Sequence, residues 1–151
     1  MKSIYEKNTD ELFNNIKENS DVEKFLEDNQ HEFSKPLHEY LKELLAKKNL
    51  TKKILHKALN CEPSHIYHIF SGKKKPSRPR LLAIARAMNL NLEETQYLLR
   101  YGGYGILYSR NTWDAVIISA IEQNFSIDVT DQFLSHLKTE PILNPKLAVN
   151  R

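Results

Sequence analysis

A single cysteine, Cys61, stands among 151 residues, so no disulfide can close within the chain. A reducing cytosol suits such a chain best, and a cytoplasmic location is expected. Glycine is scarce at four residues and proline numbers six, which favours long helices over a turn-rich β architecture. No apolar run approaches the roughly 18 residues of a membrane span, and the charged N-terminus does not read as a signal peptide. Three of the four glycines crowd into Gly102-Gly103-Tyr104-Gly105, but they lack the spacing and the following lysine of a phosphate-binding loop. Acids and histidines are plentiful, yet none is placed with a nucleophile–base arrangement, so neither an enzyme nor a cofactor is expected.

What is present is enough for a core. Forty per cent of the residues are apolar, which argues against wholesale disorder. The length fits one ordinary domain, or a small domain with an appendage. The net charge of +3 is unevenly spread. Residues 1–35 hold five lysines and nine acids, residues 36–100 hold thirteen basic and five acidic groups, and residues 101–151 hold four and five. The middle of the chain is therefore strongly basic between two acidic flanks, which favours a polyanion as partner.

The same middle stretch carries the clearest local pattern. Thr51 is a good N-cap, with Ile54, Leu55, Ala58 and Leu59 at helical spacing behind it. Asn60 tolerates the left-handed conformation that ends a helix. Pro63 suits the first turn of a second helix, where a missing N–H costs nothing; that helix carries Ile66, Ile69 and Phe70 inward, and Gly72 stops it. Two helices with so short a connector form a helix-turn-helix unit, whose second helix can lie in a DNA major groove.

Leu50, Thr51, Leu55, Leu59, Cys61, Ser64, Ile66, Ile69, Gly72 and Pro76 together resemble the pattern of the Cro/CI repressor family, also called the xenobiotic-response-element family. The resemblance implies a five-helix, all-α DNA-binding domain over about Lys35 to Arg100. Three positions depart from it: Lys52 stands where the family has Gln, His56 where it has a buried Ala, and Asn60 where it has a turn Gly. The stretch to about Gln123 is also similar to small regulators of Gram-positive bacteria.

The remaining helices are read from periodicity and caps. Residues 1–34 form an acidic N-terminal extension of two amphipathic helices. Thr9 is a cap for the first, with Leu12, Phe13 and Ile16 inward; Ser20 to Glu23 is a capping box for the second, with Val22, Phe25 and Leu26 on one side. Such an arm packs as an extension, or competes with DNA for the basic face. Pro36 opens the next helix, with Ser34 or Lys35 as cap and Leu37, Tyr40, Leu41, Leu44 and Leu45 as a stripe. Pro79 opens a helix with Leu81, Leu82, Ile84, Ala85 and Met88 inward, and Asn91 with Glu94 is a capping box for the fifth. The domain then spans 35–101. Residues 101–105 read as a flexible connector. A helical pair over 102–140 follows, from Thr112 to about Asn124 and from Ser126 onward, with Ile127, Phe133, Leu134 and Leu137 grouped on the second. Pro141 and Pro145 mark a tail, 141–151. So apolar a pair needs the domain, a second subunit or another protein to cover it. No period of 20–50 residues reads as a repeat.

With Ile66, Ile69 and Phe70 inward, a turn of 100° per residue puts Ser64, Tyr67, His68 and Ser71 outward with His65 beside them. Ser64, His65, Tyr67 and His68 are the candidate base-reading residues, each good contact contributing about 1–3 kcal/mol of discrimination. By resemblance, the family's base-reading positions fall on Pro63, Ser64 and His68, and Pro63 can supply no hydrogen bond. The candidate phosphate contacts are Lys52, Ser71, Lys73, Lys74, Lys75 and Arg78. Six such contacts give a log–log salt slope of about −5. Cys61, His65 and His68, with His56, match no common zinc spacing, so no metal is expected. The reading that follows is a transcription regulator that binds double-stranded DNA as a homodimer, with no membrane association. The alternative is a protein-interaction module, antitoxin-like or partner-regulating, that meets a protein through the C-terminal helices.

Overall fold

The computed structural model describes residues 10, 11, 14, 22–24 and 35–142. Seven helices run from residue 35 onward, and no strand occurs among the described residues. They are α1 (Leu37–Lys47), α2 (Lys52–Ala58), α3 (Pro63–Phe70), α4 (Arg78–Ala87), α5 (Leu92–Tyr101), α6 (Thr112–Glu122) and α7 (Ile127–His136). The all-α expectation holds. The chain divides into two compact units, Met1–Lys35 and Pro36–Arg151. In the first, residues 10, 11, 14 and 22–24 are helical. Val22, expected on an apolar side, is exposed there. The caps at Thr9 and Ser20, the apolar sets around Leu12 and Phe25, and the tail beyond Ile142 lie outside the described residues.

Local sequence accounts for most helix ends. The Thr51 hydroxyl accepts from Ile54 N–H, Ser77 from Arg80 N–H, Asn111 from Asp114 N–H and Ser126 from Val129 N–H. Each such cap satisfies one of the N–H groups that a helix start leaves open, and contributes about 1 kcal/mol. Asn91 and Glu94 close the capping box in both directions. At the other ends Asn49, Asn60, Asn89 and Asn124 all take positive φ, between 51° and 57°. Asn is the residue other than Gly that best tolerates this turn. Two starts lack a side-chain cap: α1, whose cap position is Pro36 itself, and α3, whose cap position is Glu62.

The core forms where these amphipathic faces meet. Leu41 and Leu44 of α1, Leu55 and Leu59 on α2, Ile66, Ile69 and Phe70 of α3, and Leu81, Leu82 and Ile84 of α4 are all buried. On α2 the inward set is narrower than the spacing implied, because Ile54 and Ala58 stand exposed. Tyr40 of α1 stacks on Tyr101 at 4.4 Å and tilts against Tyr97 at 5.7 Å. Burial, then the neighbouring Tyr97 and Glu94, push its phenol well above the usual range. Lys48, at the C-terminal cap of α1, reaches the Glu94 carboxylate at 3.1 Å. α1 therefore lies along one face of α5.

The segment expected as a flexible connector is instead tightly fastened. Gly102 is buried, the Tyr104 hydroxyl donates to Pro76 C=O at 2.6 Å, and Gln96 bonds both N–H and C=O of Leu107. The reason is long-range pairing that no local glycine count reveals.

α6 and α7 repeat α4 and α5 at an offset of 35 residues. Asn89 and Asn124 are 35 apart and share the positive-φ turn. The Thr95 hydroxyl donates to Asn91 C=O, and the Thr130 hydroxyl to Ser126 C=O, both at 2.7 Å. Leu90 N–H bonds Ala85 C=O as Phe125 N–H bonds Ala120 C=O, and Tyr104 N–H bonds Leu99 C=O as Thr139 N–H bonds Leu134 C=O. The buried pairs Leu82/Ile117, Ala85/Ala120, Thr95/Thr130 and Leu99/Leu134 follow the same offset. A repeat was not expected from the sequence, because few aligned positions keep their residue type. The two copies are tied together by Arg86, which donates to Asn124 Oδ1 at 3.2 Å and Phe125 C=O at 3.0 Å.

The packing also divides α7. Ile127 and Leu134, with Thr130, are buried, whereas Phe133 and Leu137, grouped with them from the sequence, point outward with Val129.

Candidate nucleic-acid interface

The second helix of the unit, α3, is short and begins with Pro63 in its first turn. Its inner side is anchored by Ile66, Ile69 and Phe70, each at most 1% exposed. Rotation of 100° per residue from that anchor leaves Pro63, Ser64, Tyr67, His68 and Ser71 on the exposed side. Tyr67 is 53% exposed, and its ring takes the Lys52 ammonium 5.1 Å from the centroid. Cation and aromatic face thus hold each other at the start of α2, beside the exposed side of α3.

His65 is placed apart from that set. It is half-buried, and its Nε2 is enclosed without a hydrogen-bond partner. Burial, then the positive charges of Arg80 and Lys74 and the neighbouring His68, lower its pKa. At neutral pH it is a neutral imidazole. As a base reader it has less reach than Ser64, Tyr67 and His68.

Beyond α3 the chain turns through Gly72 at φ +85°. A Cβ there would lie 2.7 Å from His38 Nδ1 of α1, so the turn and the α1 packing both require glycine. Lys74 N–H bonds His68 C=O at 3.1 Å, and the Ser71 hydroxyl donates to the same carbonyl at 3.2 Å. Lys73, Lys74 and Lys75 follow as an exposed cationic turn. Lys75 is steadied by the Tyr104 ring, 4.7 Å from its centroid. Tyr104 was not singled out from the sequence, since it lies 29 positions away and only the fold brings it there.

Arg78 leaves the phosphate set. Its guanidinium forms a forked pair with Asp114, at 2.9 Å and 3.0 Å, and donates to Gly105 C=O and Ile106 C=O. Burial alone would raise the Asp114 pKa, but hydrogen bonds from Arg78 and Tyr108 N–H, with the Arg78 charge, bring it below the usual carboxylate value. With its donors so used, the group is a strut between the loop after α3 and the start of α6.

Cys61 lies in the turn before α3, and burial raises its thiol pKa. Among the described residues no group of three or more His, Cys, Asp or Glu side chains is arranged to hold a metal, and no helix is long and apolar enough to cross a membrane.

Comparison with known proteins agrees with this geometry. A family model described as helix-turn-helix matches residues 41–94, from within α1 to the first turn of α5. No curated protein and no solved structure matches the chain. The matched stretch contains the α2–α3 unit, the cationic turn and the helix that follows it. Over residues 41–94 the chain is thus similar to helix-turn-helix proteins.

Proposed function

We propose that this protein is a cytoplasmic, sequence-specific transcription regulator that lays α3 in the major groove of double-stranded DNA. One observation carries the reading: the polar side of α3 stands open immediately beside an exposed cationic turn. Ser64 can donate or accept at a base edge, His68 can donate to guanine N7, and Tyr67 can stack or bond a phosphate. His65, half-buried with its Nε2 enclosed, backs that face from within. Lys52, Ser71, Lys73, Lys74 and Lys75 hold the sugar–phosphate backbone, which sets register without reading sequence. A homodimer on a palindromic operator would place two copies of α3 in successive grooves, about 34 Å apart.

Mobility shift on the DNA upstream of the gene, against scrambled DNA over a salt series, tests this. Specific binding lost in Ser64→Ala/His68→Ala, with non-specific binding retained, supports the reading. Binding that is equally strong on scrambled DNA, or none at low salt, removes it.

A second reading has its own observation. The outward apolar stripe of α7, with Phe133 46% exposed, suits a protein surface, so the chain could regulate a partner with little affinity for DNA. Copurification of a stable partner, together with no DNA affinity, would favour that alternative.

A further inference from the structure

The cationic turn after α3 is held from outside the helix-turn-helix unit. Its near end is fixed by α3 itself, since Lys74 N–H bonds His68 C=O. Its far end is fixed by Tyr104, whose hydroxyl donates to Pro76 C=O at 2.6 Å. Between these two points Lys75 lays its ammonium over the Tyr104 ring, 4.7 Å from the centroid. A Cβ on Gly103 would stand 3.8 Å from the same nitrogen, so the ammonium also lies beside the C-terminus of α5. The negative face of the ring and the partial negative charge of that helix end both draw a cation there. Tyr104 lies beyond residues 41–94, the stretch that the family model matches.

The ring is itself well seated. Tyr104 N–H bonds Leu99 C=O at 2.8 Å and closes the end of α5. A Cβ on the buried Gly102 would lie 3.4 Å from Tyr104 Cδ2 and 3.0 Å from Leu81 Cδ2 of α4, so the ring borders the core. Two cations on this loop are thus used differently. Arg78 spends its N–H groups on Asp114, Gly105 C=O and Ile106 C=O. Lys75 is exposed, and a π face holds its charge without an oxygen acceptor, which leaves ammonium N–H groups for a phosphate. An unheld lysine must be ordered when it meets a phosphate, at a cost in affinity. Lys75 is ordered beforehand.

We propose that Tyr104 is a positioning residue of the DNA interface: its ring, kept under the turn by the bond to Pro76, presents the Lys75 ammonium to a phosphate in a ready-made position. The connector after α5 thereby takes part in DNA binding. That role rests on the reading of α3 as a groove-binding helix. It concerns a backbone contact, so it does not depend on the base sequence. A cation–π hold at an exposed site weights the ready conformation about two- to fivefold, and affinity gains by up to the same factor.

Fluorescence anisotropy of the full chain on a mixed-sequence duplex of about 20 base pairs, at low salt, tests this. Tyr104→Phe keeps the ring, and pentafluorophenylalanine at the same position keeps its shape but reverses its quadrupole. The fluorinated chain should bind about two- to fivefold more weakly than Tyr104→Phe. Adding Lys75→Ala to each should abolish that difference, whereas Lys73→Ala should leave it; a tyrosine with a purely structural role would show no such dependence on Lys75. Without DNA, proton NMR of the wild type should place the Lys75 ε-methylene upfield of that of Lys73, under the ring current. Absence of that shift overturns the proposal whatever the DNA result. Equal affinity of the two ring variants overturns it and leaves the DNA reading standing, as does a difference that survives Lys75→Ala. Tighter binding by the fluorinated chain overturns it too, since the ring would then be withholding Lys75 from DNA. A wild type that shows the upfield shift but binds no duplex removes the DNA reading, and the role of Tyr104 with it.

Discussion

Replacing Arg78 by Met should separate a structural arginine from its basic neighbours. The guanidinium makes two bonds to Asp114 and two to backbone carbonyls. The side chain of Asp114 is only 8% exposed, and that of Arg78 25%. Removing one partner of a buried pair costs about 3–5 kcal/mol, because the other charge is left without compensation. The quarter exposure of Arg78 lets water take part, so the lower end, about 3 kcal/mol, is expected here. With a urea slope of about 1.5–2 kcal/mol per M, the unfolding midpoint should fall by about 1.5–2 M. The effect has a definite pH dependence. The folded-state pKa of Asp114 is depressed, so its contribution is complete above the unfolded value of about 3.9 and is lost as pH falls through the folded value. In Arg78→Met, burial without the partner raises that pKa, so the difference between wild type and variant should narrow on going from pH 7 to pH 3. The salt slope of DNA binding should not change. A loss under about 1 kcal/mol, or a penalty that stays constant with pH, would refute the reasoning.

Other substitutions test neighbouring parts. Lys74→Ala should reduce the log–log salt slope by about 0.9 per site and leave the urea midpoint in place; an unaltered slope would take Lys74 out of the interface. Gly72→Ala should destabilise by about 1–2 kcal/mol from its φ of +85° alone, with the approach to His38 adding to it, and a thermal melt equal to wild type would contradict this. Asn124→Ala should cost more than Asn89→Ala: both sit at positive φ, but only Asn124 is shown accepting from Arg86, and equal melting points would deny that bond a role. The lowered pKa of His65 means that the unfolded chain binds its proton first, near pH 6.5, so stability should decline as pH falls from there toward the folded value. His65→Gln should flatten that part of the profile.

The chain's local chemistry determined a good deal without help. Thr51, Ser126 and the Asn91–Glu94 box act on N–H groups three residues away, and Asn60 and Gly72 act on their own backbone. Such features read directly from neighbouring letters, as do the buried set of α3 and the exposed residues that follow from it. Other features depended on groups distant in the chain. Arg78 resembles its lysine neighbours in sequence, and only Asp114, 36 residues on, turns it into a strut. The Gly102–Gly105 stretch reads as loose until Pro76 holds Tyr104 and Arg78 holds Gly105. α7 carries apolar residues on two sides, and periodicity does not say which side a neighbour will cover. The repeat stayed hidden because its copies share Ala85/Ala120, Asn89/Asn124, Thr95/Thr130 and Leu99/Leu134 but little else. What they hold in common is a backbone hydrogen-bonding pattern, and many side chains can satisfy that. Short-range bonding is written in adjacent residues; the choice of which face is covered is made only when the helices meet.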